Sequence, residues 1–192
     1  MPEIASPSAS TLTPAKTARQ RTDTFTSIWM MIAVAMALAT LVAKSRMPQP
    51  LWTMIHLVTL GVLSNGIFQW SWFFARSLAR LSADDPRARR HNTIRVLIFN
   101  AFFASLFVSM WLGWMVGTVI AATGIAAVAA WHGAEMLSVL RERLASRFVV
   151  VVRYYVCSAS FFVLAALLAS FVTATMFSPS IPEAMVAMRD RL

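Results

Sequence analysis

Five long apolar runs, parted by short connectors carrying arginine, proline or glycine, give this chain its pattern. The most informative begins at Leu51. LWTMIHLVTLGVLSNGIFQWSWFFARSLARL continues to Leu81, and its first 25 residues carry no formal charge. At about 1.5 Å of helical rise per residue, this run exceeds the roughly 30 Å of bilayer hydrocarbon. It predicts a membrane-spanning helix. An earlier run, from about Phe25 to Ala43, predicts a first helix that KSRMPQP closes, because Pro48 and Pro50 disfavour helix there. A third begins near Thr93 and reaches about Met110. The apolar sequence from Val96 to Leu140 is too long for one span, so it predicts a reversal near Trp111, Gly113 and Trp114, tryptophan and glycine being suited to a tight turn at the headgroups. The fourth helix, from about Met115 to Leu140, carries Gly117, Gly124, Gly133 and many alanines, and is expected to sit centrally where backbones approach closely. RERLASR leads to a fifth helix, about Phe148 to Phe177, and then to SPSIPEAMVAMRDRL, a mildly amphipathic segment suited to the membrane surface.

The expected fold class is therefore an all-α integral membrane protein, a bundle of five transmembrane helices. Residues 1–24 are expected to form a disordered cytoplasmic segment, 25–177 the helical domain, and 178–192 a tail on the outer side. Composition agrees: of 192 residues, 58% are hydrophobic and only 13% charged, too little polar surface to cover a soluble domain. The net charge of +9 does not point to nucleic acid, because the basic residues form no continuous patch with interleaved aromatics. They mark topology instead. With the N-terminus inside, thirteen of the seventeen Lys and Arg residues fall on the cytoplasmic side, including Arg76, Arg80, Arg87, Arg89, Arg90 and Arg95 around the second connector. Lys44, Arg46, Arg189 and Arg191 fall outside, which predicts a cytoplasmic N-terminus and an outer C-terminus in the cell membrane.

Polar residues inside the apolar runs are the candidates for chemistry, because lipid-facing helices do not tolerate them. His56 lies about 7 Å inside the outer end of the second helix, counted by helical rise. At about 100° per residue, Ser64 and Ser71 share its general face, whereas Gly61, Asn65, Gln69 and Arg76 form a second stripe suited to interhelical hydrogen bonds. Neutral imidazole is a haem or copper ligand, so His56 is a candidate cofactor-binding residue. His132 is a second, with Glu135 nearly on the same face, where it would fix the imidazole tautomer. The two histidines lie at depths of about 7 and 25 Å, too unequal for axial ligation of one haem. His91, in the basic loop, reads as solvated. Met30, Met31, Met36, Met54 and Met115 show no clustering and read as packing, and the single cysteine, Cys157, reads as a small buried hydrophobe. No phosphate-binding loop, HExxH or nucleophile elbow is present.

IHLVTLGVLSNGIFQWS, AAWHGAEML, the connector RERLASRF and VVRYYV together resemble the N-terminal membrane region of actinobacterial multicopper oxidase or copper nitrite reductase-like proteins. The resemblance covers roughly Leu51 to Val172, with H-x3-LG-x3-N and RYY as its more specific elements. It implies further helices and cupredoxin domains on the outer side, where an outward C-terminus would place them. This chain ends at Arg189, Asp190, Arg191 and Leu192 without those domains, and none of the family's copper ligands is present to carry over. The helices also look distantly like those of haem-copper oxidases, which keeps haem b and copper as candidate cofactors. The expected function is a non-catalytic membrane module, or a fragment, of a copper oxidase or nitrite reductase-like system that holds haem or relays electrons to an outer cupredoxin domain or redox partner. A small transporter or channel subunit, with Asn65 and Gln69 lining a polar path, is the alternative. A purely structural anchor is the third reading.

Overall fold

The computed structural model describes residues 13–47, 49–82, 85–143 and 149–176, with side chains over 24–47, 49–82, 85–141 and 149–175. The described residues form five long helices: α1 (Thr13–Val42), α2 (Pro50–Leu78), α3 (Pro86–Trp111), α4 (Met115–Arg143) and α5 (Val149–Met176). A short 3-10 turn, Lys44–Arg46, joins α1 to α2. All five helices are long and apolar enough to cross a membrane, α1 through its Thr24–Val42 portion. The chain is thus a multi-pass membrane protein, all-helical among the described residues. Successive helices alternate in direction, so the ends of α2 and α4 and the starts of α3 and α5 form an arginine-rich end. Lys44–Arg46 and the α3–α4 turn lie at the opposite end.

The helix ends follow local chemistry more closely than the apolar runs do. α1 begins at Thr13 with Pro14 in its first turn, so the segment expected to be disordered through residue 24 is helical from Thr13 onward. Hydropathy marks where lipid begins, not where the helix begins. α3 likewise starts at Pro86, seven residues before Thr93, because the Asp85 side chain accepts the Arg87 backbone N–H as an N-cap and Pro86 occupies the first turn. α2 stops at Leu78 rather than Leu81: Leu81 N–H donates to Arg76 C=O and Arg80 N–H to Ser77 C=O, with Arg80 left-handed at φ 54°. Gly113, at φ 64°, closes α3 in the same way, with Trp114 N–H on Ser109 C=O, so the reversal falls where tryptophan and glycine predict it. The tail over residues 178–192 lies outside the described residues.

Packing places α4 at the centre and α5 at the edge. Half of the most apolar stretch of α4 is buried, against 17% of that of α5. Phe102 of α3 packs so tightly over Gly124 that an added Cβ would lie 2.4 Å from its ring. α1 covers α2 through a similar contact, since a Cβ on Gly61 would lie 2.6 Å from Ala33 Cβ. One apolar core, including Leu57, Phe68, Phe99, Phe103 and Ile125, fills the middle of the bundle, and a second, including Trp72, Ala75, Met136 and Val152, fills the arginine-rich end. Phe161 is 72% and Met31 71% exposed, as befits surfaces that meet lipid. Cys157 is exposed as well, against the expectation of burial, because it lies on the outer face of α5, which only α4 covers extensively.

α2 is interrupted by a π-helical stretch, Leu57–Ser64. Its loosened carbonyls are taken up by side chains: Ser64 Oγ donates to Thr59 C=O at 2.8 Å, and Asn65 Nδ2 to Leu60 and Gly61 C=O at 3.2 and 3.1 Å. Asn65 also pairs reciprocally with Asn100 of α3, Nδ2 to Oδ1, at 3.0 and 2.8 Å. Asn100 Nδ2 donates once more, to Val96 C=O, so the N–H donors of both amides are fully engaged. The π turn winds the chain by fewer degrees per residue than an α-helix does, and it changes which face each later residue of α2 presents.

Candidate functional site

Two cavities lie along one seam, between α5 and the rest of the bundle, with Phe162 lining both. The first, about 180 Å³, sits towards the opposite end and is lined by His56, Thr59, Met110, Thr118 and Thr173 among others. His56 is held there by its own helix. Its Nδ1 lies 2.8 Å from Trp52 C=O, and its ring stacks on the Trp52 indole at 4.1 Å. A carbonyl only accepts, so Nδ1 carries the proton and Nε2 keeps its lone pair, as in histidines poised to bind a metal through Nε2. Met110, the penultimate residue of α3, adds a thioether sulfur to the same cavity. In the sequence Met110 marks only the end of the third apolar run; α3 ends at the membrane face where α2, with His56, begins, and that brings the Met110 sulfur to the cavity.

The second cavity, about 170 Å³, lies nearer the arginine-rich end and includes Ser64, Ser71, His132, Tyr155 and Ser158 in its lining. His132 is 2% exposed, packs against Phe68 at 4.7 Å, and has Nε2 2.8 Å from Ser71 Oγ. Its Nδ1 is buried without a hydrogen-bond partner. Glu135 does not serve His132 as its orienting carboxylate. Its Oε1 lies 4.0 Å from His91 Nδ1, because the residue sits a turn nearer the arginine-rich end, and His91, though 60% exposed, faces it instead of standing alone in solvent.

Behind His132 lies a polar group that the sequence reading did not isolate. Arg95 is wholly buried, donates from Nη2 to Asn92 Oδ1 at 2.6 Å, and leaves Nε and Nη1 without partners. Asn92 Nδ2 in turn donates to Gln69 Oε1 at 3.2 Å. Glu135 and His132 both lie within electrostatic range of the guanidinium. Arg95 was grouped with the connector arginines because hydropathy begins at Thr93. The Asp-Pro helix start at 85 and 86 is the signal that would have placed it about 13 Å inside the helix.

His56 and His132 therefore line different cavities, and haem fits neither arrangement. Cavities of 170–180 Å³ fall short of the roughly 300–1,000 Å³ that enclose drug-sized ligands, and Ser71 already engages His132 Nε2. Among the described residues, no group of three or more His, Cys, Asp or Glu is placed to hold a metal ion. Asn65 and Gln69, the candidate lining of a polar path, instead join α2 to α3: Asn65 is wholly buried and bonded to Asn100, and neither residue lines either cavity. Comparison with family models, curated proteins and solved structures finds no match.

Proposed function

We propose that this chain is a membrane module of a copper oxidase or nitrite reductase-like system, with its N-terminus in the cytoplasm and its His56 end outside, serving an extracytoplasmic cupredoxin domain or redox partner. One observation carries the reading: the Trp52 carbonyl fixes the His56 tautomer and leaves Nε2 as a lone-pair donor in a cavity that Met110 shares. A thioether is a soft donor and an imidazole nitrogen a borderline one, a pair that suits copper, whereas zinc usually requires three or four nitrogen, oxygen or sulfur ligands. His56 and Met110 would hold the ion, and it would supply a one-electron site near the outer face. The arginine-rich connectors support the orientation by the positive-inside rule.

Titration of detergent-purified protein with Cu(I) against a chromophoric chelator tests this. Wild type should withdraw one equivalent, and His56→Ala and Met110→Leu should each weaken binding at least about tenfold, or about 1.4 kcal/mol. Met54→Leu, on the same helix but outside the cavity, should leave it unchanged. Wild-type protein that fails to compete, or His56→Ala that competes equally well, would overturn the assignment.

A further inference from the structure

We propose that the cavity holding His132 receives the headgroup of a lipid-soluble quinone, with Ser71 as its hydrogen-bond donor and His132 as the residue that positions Ser71. The idea rests on the redox reading of the chain for its purpose, but on separate residues for its geometry.

Access comes first. α2 and α5 both pack on α4 and meet one another through Phe68 and Phe162, whose rings lie 6.2 Å apart, leaving a gap beside that contact on the lipid-facing side. Ile67, on its rim, is 48% exposed. His132 lies about 25 Å along α4 from Met115, about 5 Å short of the arginine-rich boundary of a roughly 30 Å hydrocarbon layer. A neutral planar dicarbonyl ring on an isoprenoid tail reaches that level from within the bilayer without carrying a charge into hydrocarbon. The cavity takes such a ring alone and leaves its tail in the bilayer.

Chemistry comes second. His132 must leave Nδ1 unpaired whichever nitrogen bears the proton. A buried orphan N–H is rarer than an orphan acceptor, which favours the tautomer with the proton on Nε2. Nε2–H then donates to Ser71 Oγ, and the Ser71 hydroxyl hydrogen is free to turn into the cavity and donate to a carbonyl. Phe68 and Phe162 supply aromatic walls for a flat ring, and Arg95, one layer behind, places a fixed positive charge where electron density on a quinone oxygen is favoured.

The test uses the full chain in nanodiscs of quinone-free lipid, with a photoreactive decyl-quinone as probe. Saturable labelling should map to α2 or α5, and Ser71→Ala and His132→Gln should each raise the half-saturating concentration about tenfold or more. His56→Ala should label as wild type does, which separates this site from the copper site. Should His132→Gln fail to fold, Ser71→Ala, the loss of one oxygen atom, still decides the matter. Non-saturable labelling, wild-type labelling of Ser71→Ala, or equal competition by decanol, which has the tail without the ring, would overturn the proposal.

Discussion

Arg95→Met is expected to make the bundle more stable, by about 1–3 kcal/mol, with a higher melting temperature in detergent. Arg95 keeps a guanidinium wholly buried with one hydrogen bond, to Asn92, and two unpartnered nitrogens. Methionine fills nearly the same volume without a charge to desolvate. The change costs Asn92 one partner, worth about 1–3 kcal/mol as an unsatisfied acceptor, but it removes a buried charge whose desolvation costs several. Asn92 also retains its bond to Gln69. Arg95→Ala should melt below wild type, because it leaves a void. A methionine variant as unstable as the alanine variant would mean that the guanidinium is satisfied in the membrane. The predicted gain instead marks Arg95 as a residue retained for something other than stability.

The opposite outcome is expected at the other polar contact between α2 and α3. Asn65→Leu should destabilise the bundle by about 2–3 kcal/mol in denaturing-detergent titrations. A single interhelical hydrogen bond in a membrane averages only about 0.6 kcal/mol, but Asn65 makes two bonds to Asn100 and also covers the Leu60 and Gly61 carbonyls of the π turn. Its loss strands the buried Asn100 amide and uncovers the π turn together. The double variant Asn65→Leu/Asn100→Leu should recover part of the loss, since no side-chain amide is then left stranded. An Asn65→Leu variant as stable as wild type would remove the lock.

These two residues show what the sequence exposes and what it hides. The five spans and the Gly113 reversal were legible because lipid imposes a length of apolar chain that few other constraints imitate. The stripe containing Asn65 could be read as helix contact, and Asn65–Asn100 is that contact. The shared face of His56, Ser64 and Ser71 holds, since all three line the α5 seam, but they fall in two cavities at different depths. His56 lines the cavity nearer the α3–α4 turn, and Ser71 bonds His132 in the other. Nothing in LVTLGVLS announces the π turn until Asn65 and Ser64 are seen covering its carbonyls. Arg95 and the start of α1 were misread for a shared reason: charge was taken to end a helix, whereas proline and capping residues place the ends farther out.

Everything proposed for His56 requires its end of the bundle to face away from the cytoplasm. Ser45 and Ser82 are both exposed, at opposite ends of α2, and each becomes cysteine with little change in shape. In a Cys157→Ser background, a membrane-impermeant maleimide added to intact cells should label Ser45→Cys, and Ser82→Cys only after lysis. Labelling of Ser82→Cys from outside, with Ser45→Cys protected, would put His56 and Met110 on the cytoplasmic face and contradict the account.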